Sequence, residues 1–129
     1  MKFKLPELKE QFWRLRSKTR LIVCDIENYC IEHFNIVITL TDIFRPYDEY
    51  NPISPHPYWR AVDIRVHDPI TGMMIFTDEQ IDELLNHINV KYDYGDERHR
   101  TIMCHEVFDK DGKSKGIHFH VQTREDGRA

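Results

Sequence analysis

Apolar residues recur every three or four positions in the first part of the chain, starting just after Pro6. This is the spacing of one face of an α-helix, and proline is favoured in the first turn of a helix. The apolar positions are Leu8, Phe12, Leu15, Val23, Ile26, Cys30 and Phe34. The pattern therefore predicts helical structure through Phe34, and it leaves open whether there is one helix or two.

Two strands are predicted on either side of a proline-rich segment. Residues 36–45 are rich in β-branched side chains, which favours a strand. Residues 46–58 contain four of the six prolines, and because proline cannot donate to a sheet, this segment is expected to be an irregular loop. Residues 60–66 alternate, so that Asp63 faces one side of a strand while Val62 and Ile64 face the other.

The second half of the chain adds a helix and a hairpin. Residues 69–72 are typical of a turn, and residues 77–80 (Thr-Asp-Glu-Gln) have the form of a capping box before an apolar helical stripe. Residues 101–108 and 116–123 are predicted strands joined by the turn-forming residues 109–112. The order of elements predicts an α+β fold, with N-terminal helices packed on a small, mainly antiparallel sheet.

Length, charge and cysteine content narrow the class of protein. A chain of 129 residues is expected to form one domain over residues 1–129. Its net charge of −4 offers no basic face to nucleic acid and no attraction to an anionic membrane. Three irregularly spaced cysteines favour a reducing compartment, and no signal peptide or membrane-spanning run is evident. We expect a protein that is cytoplasmic as synthesised.

Candidate chemistry lies on the last predicted strand and before the strand that carries Asp63. Because side chains alternate, His118 and His120 project together from the strand face opposite Phe119. His56 precedes the other strand, so a loop ligand, a strand ligand and a distant histidine can converge on one ion. Two imidazoles and a carboxylate match the ligands of catalytic zinc. The same set of ligands forms the facial triad of iron(II) oxygenases, so iron is an alternative metal. A second alternative is that the H-x-H has no metal, because two histidines at this spacing on a strand are more often ordinary surface residues than a ligand pair.

These residues resemble a known family. Ser54-x-His56 followed by Ala61-x-Asp63 resembles the S-x-H-x-x-G-x-A-x-D motif of zinc D-Ala-D-Ala carboxypeptidases, phage peptidoglycan endopeptidases and the Hedgehog signalling domain. His118-Phe119-His120 resembles the closing H-x-H of that family, and residues 41–51 resemble its strand that ends in an arginine. The likeness covers residues 37–66 and 116–123 and implies a Hedgehog/DD-peptidase-like fold.

The resemblance implies Zn²⁺ bound by His56, Asp63 and His120, and hydrolysis of an amide bond in peptidoglycan stem peptides by a DD-carboxypeptidase or an endopeptidase. Arg45 would polarise the scissile carbonyl and stabilise the oxyanion, or else form a plain salt bridge with a neighbouring acidic residue. The compact chain also resembles phage lysis enzymes, or endolysins, which reach the cell wall after release by a holin. We expect a monomer whose partner is the peptidoglycan peptide.

Two positions depart from the family pattern. The glycine of the motif is Trp59, and the acidic general base that many members carry three residues before the last histidine is Ile117. His118 is the best substitute as proton acceptor, with Glu106 second, and either His105 or Glu106 is expected to point toward His118. The missing acidic base also favours an alternative, which is a non-catalytic zinc-containing binding or phage structural module of the same fold.

Overall fold

The structure is a computed structural model that describes residues 1–95, 99–108 and 111–124. Its elements in chain order are β1 (Lys2–Phe3), α1 (Glu7–Arg14), α2 (Ser17–Phe34), β2 (Thr39–Asp42), a 3₁₀ turn (His56–Tyr58), β3 (Ala61–Arg65), α3 (Asp78–Lys91), β4 (Ile102–Phe108) and β5 (Ser114–Gln122). The α+β class predicted from the sequence is confirmed.

The N-terminal apolar pattern forms two helices, which settles the alternative that the sequence leaves open. α1 ends and α2 begins where the backbone of Leu15 and Arg16 becomes extended, with ψ of 149° and 143°. The N–H of Arg16 then donates to the carbonyl of Trp59 at 3.0 Å, which ties the break to the proline-rich loop. In the described part of the chain, no helix combines the length and the apolar character needed to cross a membrane.

The capping box predicted for the third helix is present. The hydroxyl of Thr77 accepts from the N–H of Gln80 at 3.1 Å, and the Gln80 side chain accepts from the N–H of Thr77 at 2.9 Å. Each bond satisfies a backbone donor that the first turn of a helix leaves free. The sequence signal therefore fixed the start of α3 correctly.

Within residues 1–95, 99–108 and 111–124, the sheet has five strands in the order β1-β2-β3-β5-β4. β1 runs parallel to β2, and the other three pairings are antiparallel, so the sheet is mixed but mainly antiparallel as predicted. β1 has only two residues, too few to give a sequence signal. In the hairpin between β4 and β5, Asp109 and Lys110 of the predicted turn lie outside the described residues.

β2 is shorter than the strand predicted over residues 36–45. Its pairing with β3 becomes irregular between Leu40 and Asp42. Beyond Asp42 the backbone takes other partners, because the N–H of Phe44 donates to the Gln11 side chain at 3.2 Å and the carbonyl of Ile43 meets the ring of His56. The end of the predicted strand thus becomes the support for the loop that carries His56.

One face of the sheet is apolar and packs against the helices. Alternate residues of β2, β3 and β5 are fully buried there, and they form one cluster with apolar residues of α1, α2 and α3. Burying each such side chain contributes about 1.5–3 kcal/mol. The strand residues of this face are Leu40, Val62, Ile64, Phe119 and Val121. By alternation, the residues between them form the opposite face, where Asp63, His118 and His120 lie.

Candidate metal centre

His56, Asp63 and His120 come together on the polar face of the sheet. Asp63 on β3 and His120 on β5 are direct cross-strand partners, and the 3₁₀ turn brings His56 beside them. One ligand atom from each residue lies within 4.8 Å of the others. The Nδ1 atom of His120 is 3.0 Å from Asp63 Oδ1, and the Nε2 atom of His56 is 3.5 Å from the same oxygen. The three ligands predicted from distant segments therefore surround one point.

The ring of His56 is held in one orientation by the backbone. Its Nδ1 donates to the carbonyl of Ile43 at 2.6 Å, which leaves the lone pair on Nε2, the atom that faces Asp63. The side chain is fully buried, and Nε2 has no hydrogen-bond partner among the described residues. A buried nitrogen without a partner is costly, whereas a bound cation would use its lone pair.

The ring of His120 is oriented by Gln122. The amide nitrogen of Gln122 donates to the carbonyl of Arg100 at 2.9 Å, so its oxygen faces the Nε2 atom of His120 at 3.1 Å. Because this oxygen can only accept, Nε2 of His120 carries the proton and Nδ1 turns its lone pair toward Asp63. Gln122 is buried, and in the sequence only its place on the same strand face could have indicated this role.

The donor set fits a divalent metal ion. Two nitrogen lone pairs and a carboxylate point at one another, and only a cation or added protons can relieve their repulsion. Burial raises the pKa of Asp63, but hydrogen bonds and positive charge from His120 and then His56, once their rings carry such protons, outweigh burial and hold that pKa well below the usual range. The carboxylate is therefore ionised at neutral pH, and two imidazoles with one carboxylate are a set that binds zinc.

Arg45 forms the salt bridge of one alternative role and also lies beside the metal ligands, as the other role requires. Its Nε lies 3.0 Å from Asp42 Oδ2, which is the salt bridge expected of a structural residue. Its Nη2 lies 3.6 Å from Asp63 Oδ2, the carboxylate oxygen that is turned away from the histidines. The Arg45 side chain is 41% exposed and lines the cavity above the three ligands. A positive charge is thus fixed beside the metal centre and remains accessible.

His105 and His118 both lie next to the three ligands, but their rings face different neighbours. His105 pairs directly with His118 across β4 and β5, so it is His105, rather than Glu106, that lies opposite His118. The ring of His105 leans toward His120, at a centroid distance of 5.9 Å, whereas the ring of His118 lies 6.4 Å from His67. Burial is the main cause that lowers the pKa of both histidines, so both are neutral at pH 7.

An open cavity of about 560 Å³ covers the three ligands. Its lining in the described part of the chain includes Arg45, His105 and Glu106, but not His118. The exposed side chains of Ile53 and Phe108 also line it. A second cavity, lined by Tyr47 and Tyr50 among others, shares Arg45, Asn51 and Ser54 with the first. This volume and mixed lining are typical of a ligand site, and the two cavities offer an extended groove.

Trp59 occupies the motif position where the family has glycine, and it adopts the conformation that glycine favours. Its φ of 60° and ψ of 34° are left-handed. The indole ring stacks on Phe44, with ring centroids 4.7 Å apart. The Ser54 hydroxyl accepts from the N–H of His56 at 3.4 Å, as expected of a residue that tethers the loop. The loop therefore places a tryptophan in a backbone conformation that favours glycine.

Comparisons of the chain with protein-family models, with curated proteins and with solved structures find no match. What the protein does is therefore inferred from the geometry of the metal centre and from the motif that the sequence carries.

Proposed function

We propose that this protein is a zinc-dependent peptidase that hydrolyses an amide bond in peptidoglycan stem peptides, as a DD-carboxypeptidase or an endopeptidase. The observation that carries this proposal is the group formed by His56, Asp63 and His120, in which a buried acceptor orients each imidazole. The motif that contains these residues supports the choice of substrate. A Hedgehog/DD-peptidase-like fold and action at the cell wall after release from the cytoplasm belong to the same proposal.

The residues around the ligands fit hydrolysis of an amide. A zinc ion held there would supply a Lewis acid and an activated water molecule. The Arg45 guanidinium, anchored by Asp42 at 3.0 Å, would donate to the carbonyl oxygen of the substrate as negative charge develops on it. The cavity above the ligands adjoins the second cavity, which Tyr47 and Tyr50 line. Together the two cavities leave room for the peptide on both sides of the scissile bond.

A hydrolase of this kind also needs a proton acceptor, and the geometry favours His105 over His118. His105 lines the cavity and leans toward His120, and its neutral imidazole can take a proton at pH 7 and return it to the leaving amine. His118, which the sequence favours for this role, turns toward His67.

The activity is tested by incubating the zinc-loaded protein with purified peptidoglycan and searching for new amino groups by mass spectrometry. We expect new stem-peptide termini that disappear when the metal is chelated and in the His120→Ala variant. Metal analysis of protein purified without added metal distinguishes zinc from iron. Iron in place of zinc, with no new termini, would contradict the proposal.

The proton acceptor is tested with two matched variants, His105→Ala and His118→Ala. We expect His105→Ala to lower kcat by about 10²–10⁴-fold while zinc remains bound. His118→Ala should have a much smaller effect on kcat. The opposite order would assign the role to His118.

A non-catalytic zinc-containing binding or phage structural module is the second candidate. It is favoured by Ile117, because the position of the family's acidic base is occupied by an apolar side chain packed against the core. Full zinc occupancy without any new peptidoglycan termini would support this candidate.

A further inference from the structure

Arg60 lies immediately before β3 and lines the cavity that covers the metal centre. Its Nη1 donates to the carbonyl of Thr123 at 2.6 Å. Its guanidinium carbon lies 5.7 Å from the centroid of the Tyr58 ring, within the range of a cation–π contact. These two contacts hold the side chain of Arg60, a half-buried residue, in place.

The positive charge of Arg60 has no matching anion in the described residues. No carboxylate in that part of the chain lies within 4.0 Å of it, whereas Arg45 contacts both Asp42 and Asp63. The Nε of Arg60 is buried and has no hydrogen-bond partner among the same residues. A half-buried cation with an unused donor is a costly arrangement unless an anion binds to it.

We propose that Arg60 binds a carboxylate of the substrate and so selects peptides that end in a free carboxylate close to the scissile bond. Thr123 uses Nη1, which leaves the edge formed by Nε and Nη2; because Nε is buried, a carboxylate reaches this edge through Nη2 and engages Nε when the side chain shifts toward the cavity. Two parallel N–H donors on such an edge match the two oxygens of a carboxylate. Because Arg60 and the three ligands line one cavity, the bound carboxylate lies near the bond that the metal centre would cleave.

This inference rests on the proposed function and narrows its substrate. A carboxypeptidase releases a terminal residue whose free carboxylate adjoins the scissile bond, and a stem-peptide residue that is linked through its side chain also keeps a free α-carboxylate beside the bond. Arg60 therefore favours a scissile bond whose leaving amine carries a free carboxylate over a bond inside an ordinary α-linked peptide. It occupies a position that the motif leaves variable, so the residue belongs to this chain's own specificity.

Binding is tested first, independently of hydrolysis. The probes are N-acetyl-D-alanine and N-acetyl-D-alaninamide, titrated into the zinc-loaded protein while the Nε–H signal of Arg60 is followed by NMR. We expect the acid to bind about 10- to 100-fold more tightly than the amide and to shift that signal. Arg60→Gln should abolish the preference, and Arg60→Lys, which keeps the charge but loses the paired donors, should retain part of it.

Arg65→Gln is the matched control. Arg65 is also half-buried and lies on β3, where its cross-strand neighbour on β5 is His118. It is not among the described residues that line the cavity. This variant should keep the full preference for the acid. Equal binding of the two probes by the unmodified protein would overturn the proposal, as would a preference that survives in Arg60→Gln.

Hydrolysis is tested second, with diacetyl-Lys-D-Ala-D-Ala and its C-terminal carboxamide. We expect Arg60→Gln to raise KM for the acid by about 10- to 100-fold and to change kcat little. Cleavage of both peptides at equal rates would overturn the role of Arg60 and leave the peptidase assignment intact. An Arg60-dependent preference in binding without cleavage of either peptide would overturn the peptidase assignment and leave the carboxylate site intact.

Discussion

At the scale of single residues, the candidate metal centre depends on the groups that hold its ligands as much as on the ligands themselves. The carbonyl of Ile43 fixes the ring of His56, and the side chain of Gln122 fixes the ring of His120. Each sets which ring nitrogen carries the proton and thereby which one can bind a cation. The ligands are chemically conspicuous in the sequence, whereas these supports are a backbone carbonyl and an ordinary glutamine.

Replacing Gln122 by leucine tests this support. Leucine has a similar volume but cannot accept the Nε2 proton of His120, so the ring loses its fixed orientation. We expect zinc affinity to fall by about 10–100-fold, measured by competition with a chromogenic chelator. Gln80→Leu, which removes a hydrogen-bonded glutamine from α3, should lower stability without changing zinc affinity. Unchanged affinity in Gln122→Leu would show that His120 needs no such support.

Trp59 offers a second test, of the left-handed backbone at the motif's glycine position. Trp59→Gly and Trp59→Ala both remove the ring that stacks on Phe44, but only glycine adopts φ of 60° without strain. We expect the glycine variant to be more stable than the alanine variant by about 1 kcal/mol, measured by urea unfolding. At Lys9, exposed in helix α1, the order should reverse, because alanine is the better helix former.

At the scale of elements, pairing and packing decide what surrounds the centre. The register of β4 on β5 places His105 opposite His118 and Glu106 opposite Ile117. On the far side of the molecule, Asp25 of α2 joins α3 through Lys91 at 2.7 Å and through the hydroxyl of Tyr92, just past the helix end, at 2.6 Å. The sequence predicts the elements but not these contacts between them.

The link between α2 and α3 predicts a pH-dependent stability. Burial raises the pKa of Asp25, but hydrogen bonds from Lys91 and Tyr92 outweigh it, so the folded pKa lies below the unfolded value of about 3.9. The ionised group therefore stabilises the fold at neutral pH, and this contribution is lost as the pH falls through the folded pKa. We expect Asp25→Ala to lower the free energy of unfolding by about 1–3 kcal/mol at neutral pH.

The difference between Asp25→Ala and the unmodified protein should shrink in acid, which urea unfolding at both pH values measures. Asp82→Asn, which changes an exposed carboxylate of α3, is the control and should show little effect at either pH. If Asp25→Ala lowers the free energy of unfolding by the same amount in acid, packing rather than the charge of Asp25 accounts for the stabilising contact between α2 and α3.

At the scale of the whole molecule, the candidate metal centre brings together residues that are far apart in the chain. His56 comes from the loop after β2, Asp63 from β3 and His120 from β5. A bound ion would therefore connect the proline-rich loop to the middle of the sheet. Because the unfolded chain does not hold these ligands together, metal binding should stabilise the folded state.

Thermal unfolding with and without zinc measures this stabilisation. With free zinc at 100 times its dissociation constant, we expect the folded state to gain about 2.7 kcal/mol and Tm to rise. The gain should vanish with a chelator and in His120→Ala, while His33→Ala, on α2 and away from the centre, should keep it. A Tm that zinc leaves unchanged would contradict a metal centre at these residues.

Much of the fold could be predicted from the sequence because its signals are local. The capping box at Thr77 fixed the start of α3, and the alternation around Asp63 and His120 assigned both to the polar face of the sheet. β1 escaped prediction because two residues have no periodicity. The predicted end of the strand over residues 36–45 was wrong. The backbone groups of Ile43 and Phe44 form hydrogen bonds with side chains from other parts of the chain instead of with a neighbouring strand.

The sequence by itself determined the α+β class, the sides on which side chains lie, and the candidate ligands His56, Asp63 and His120. Only the tertiary structure decided that these ligands meet and that Gln122 orients one of them. Only the tertiary structure also shows that His105, rather than His118, lines the cavity. The physical reason is that periodicity and capping depend on neighbours along the chain, whereas ring orientation and cavity lining depend on contacts between residues distant in sequence.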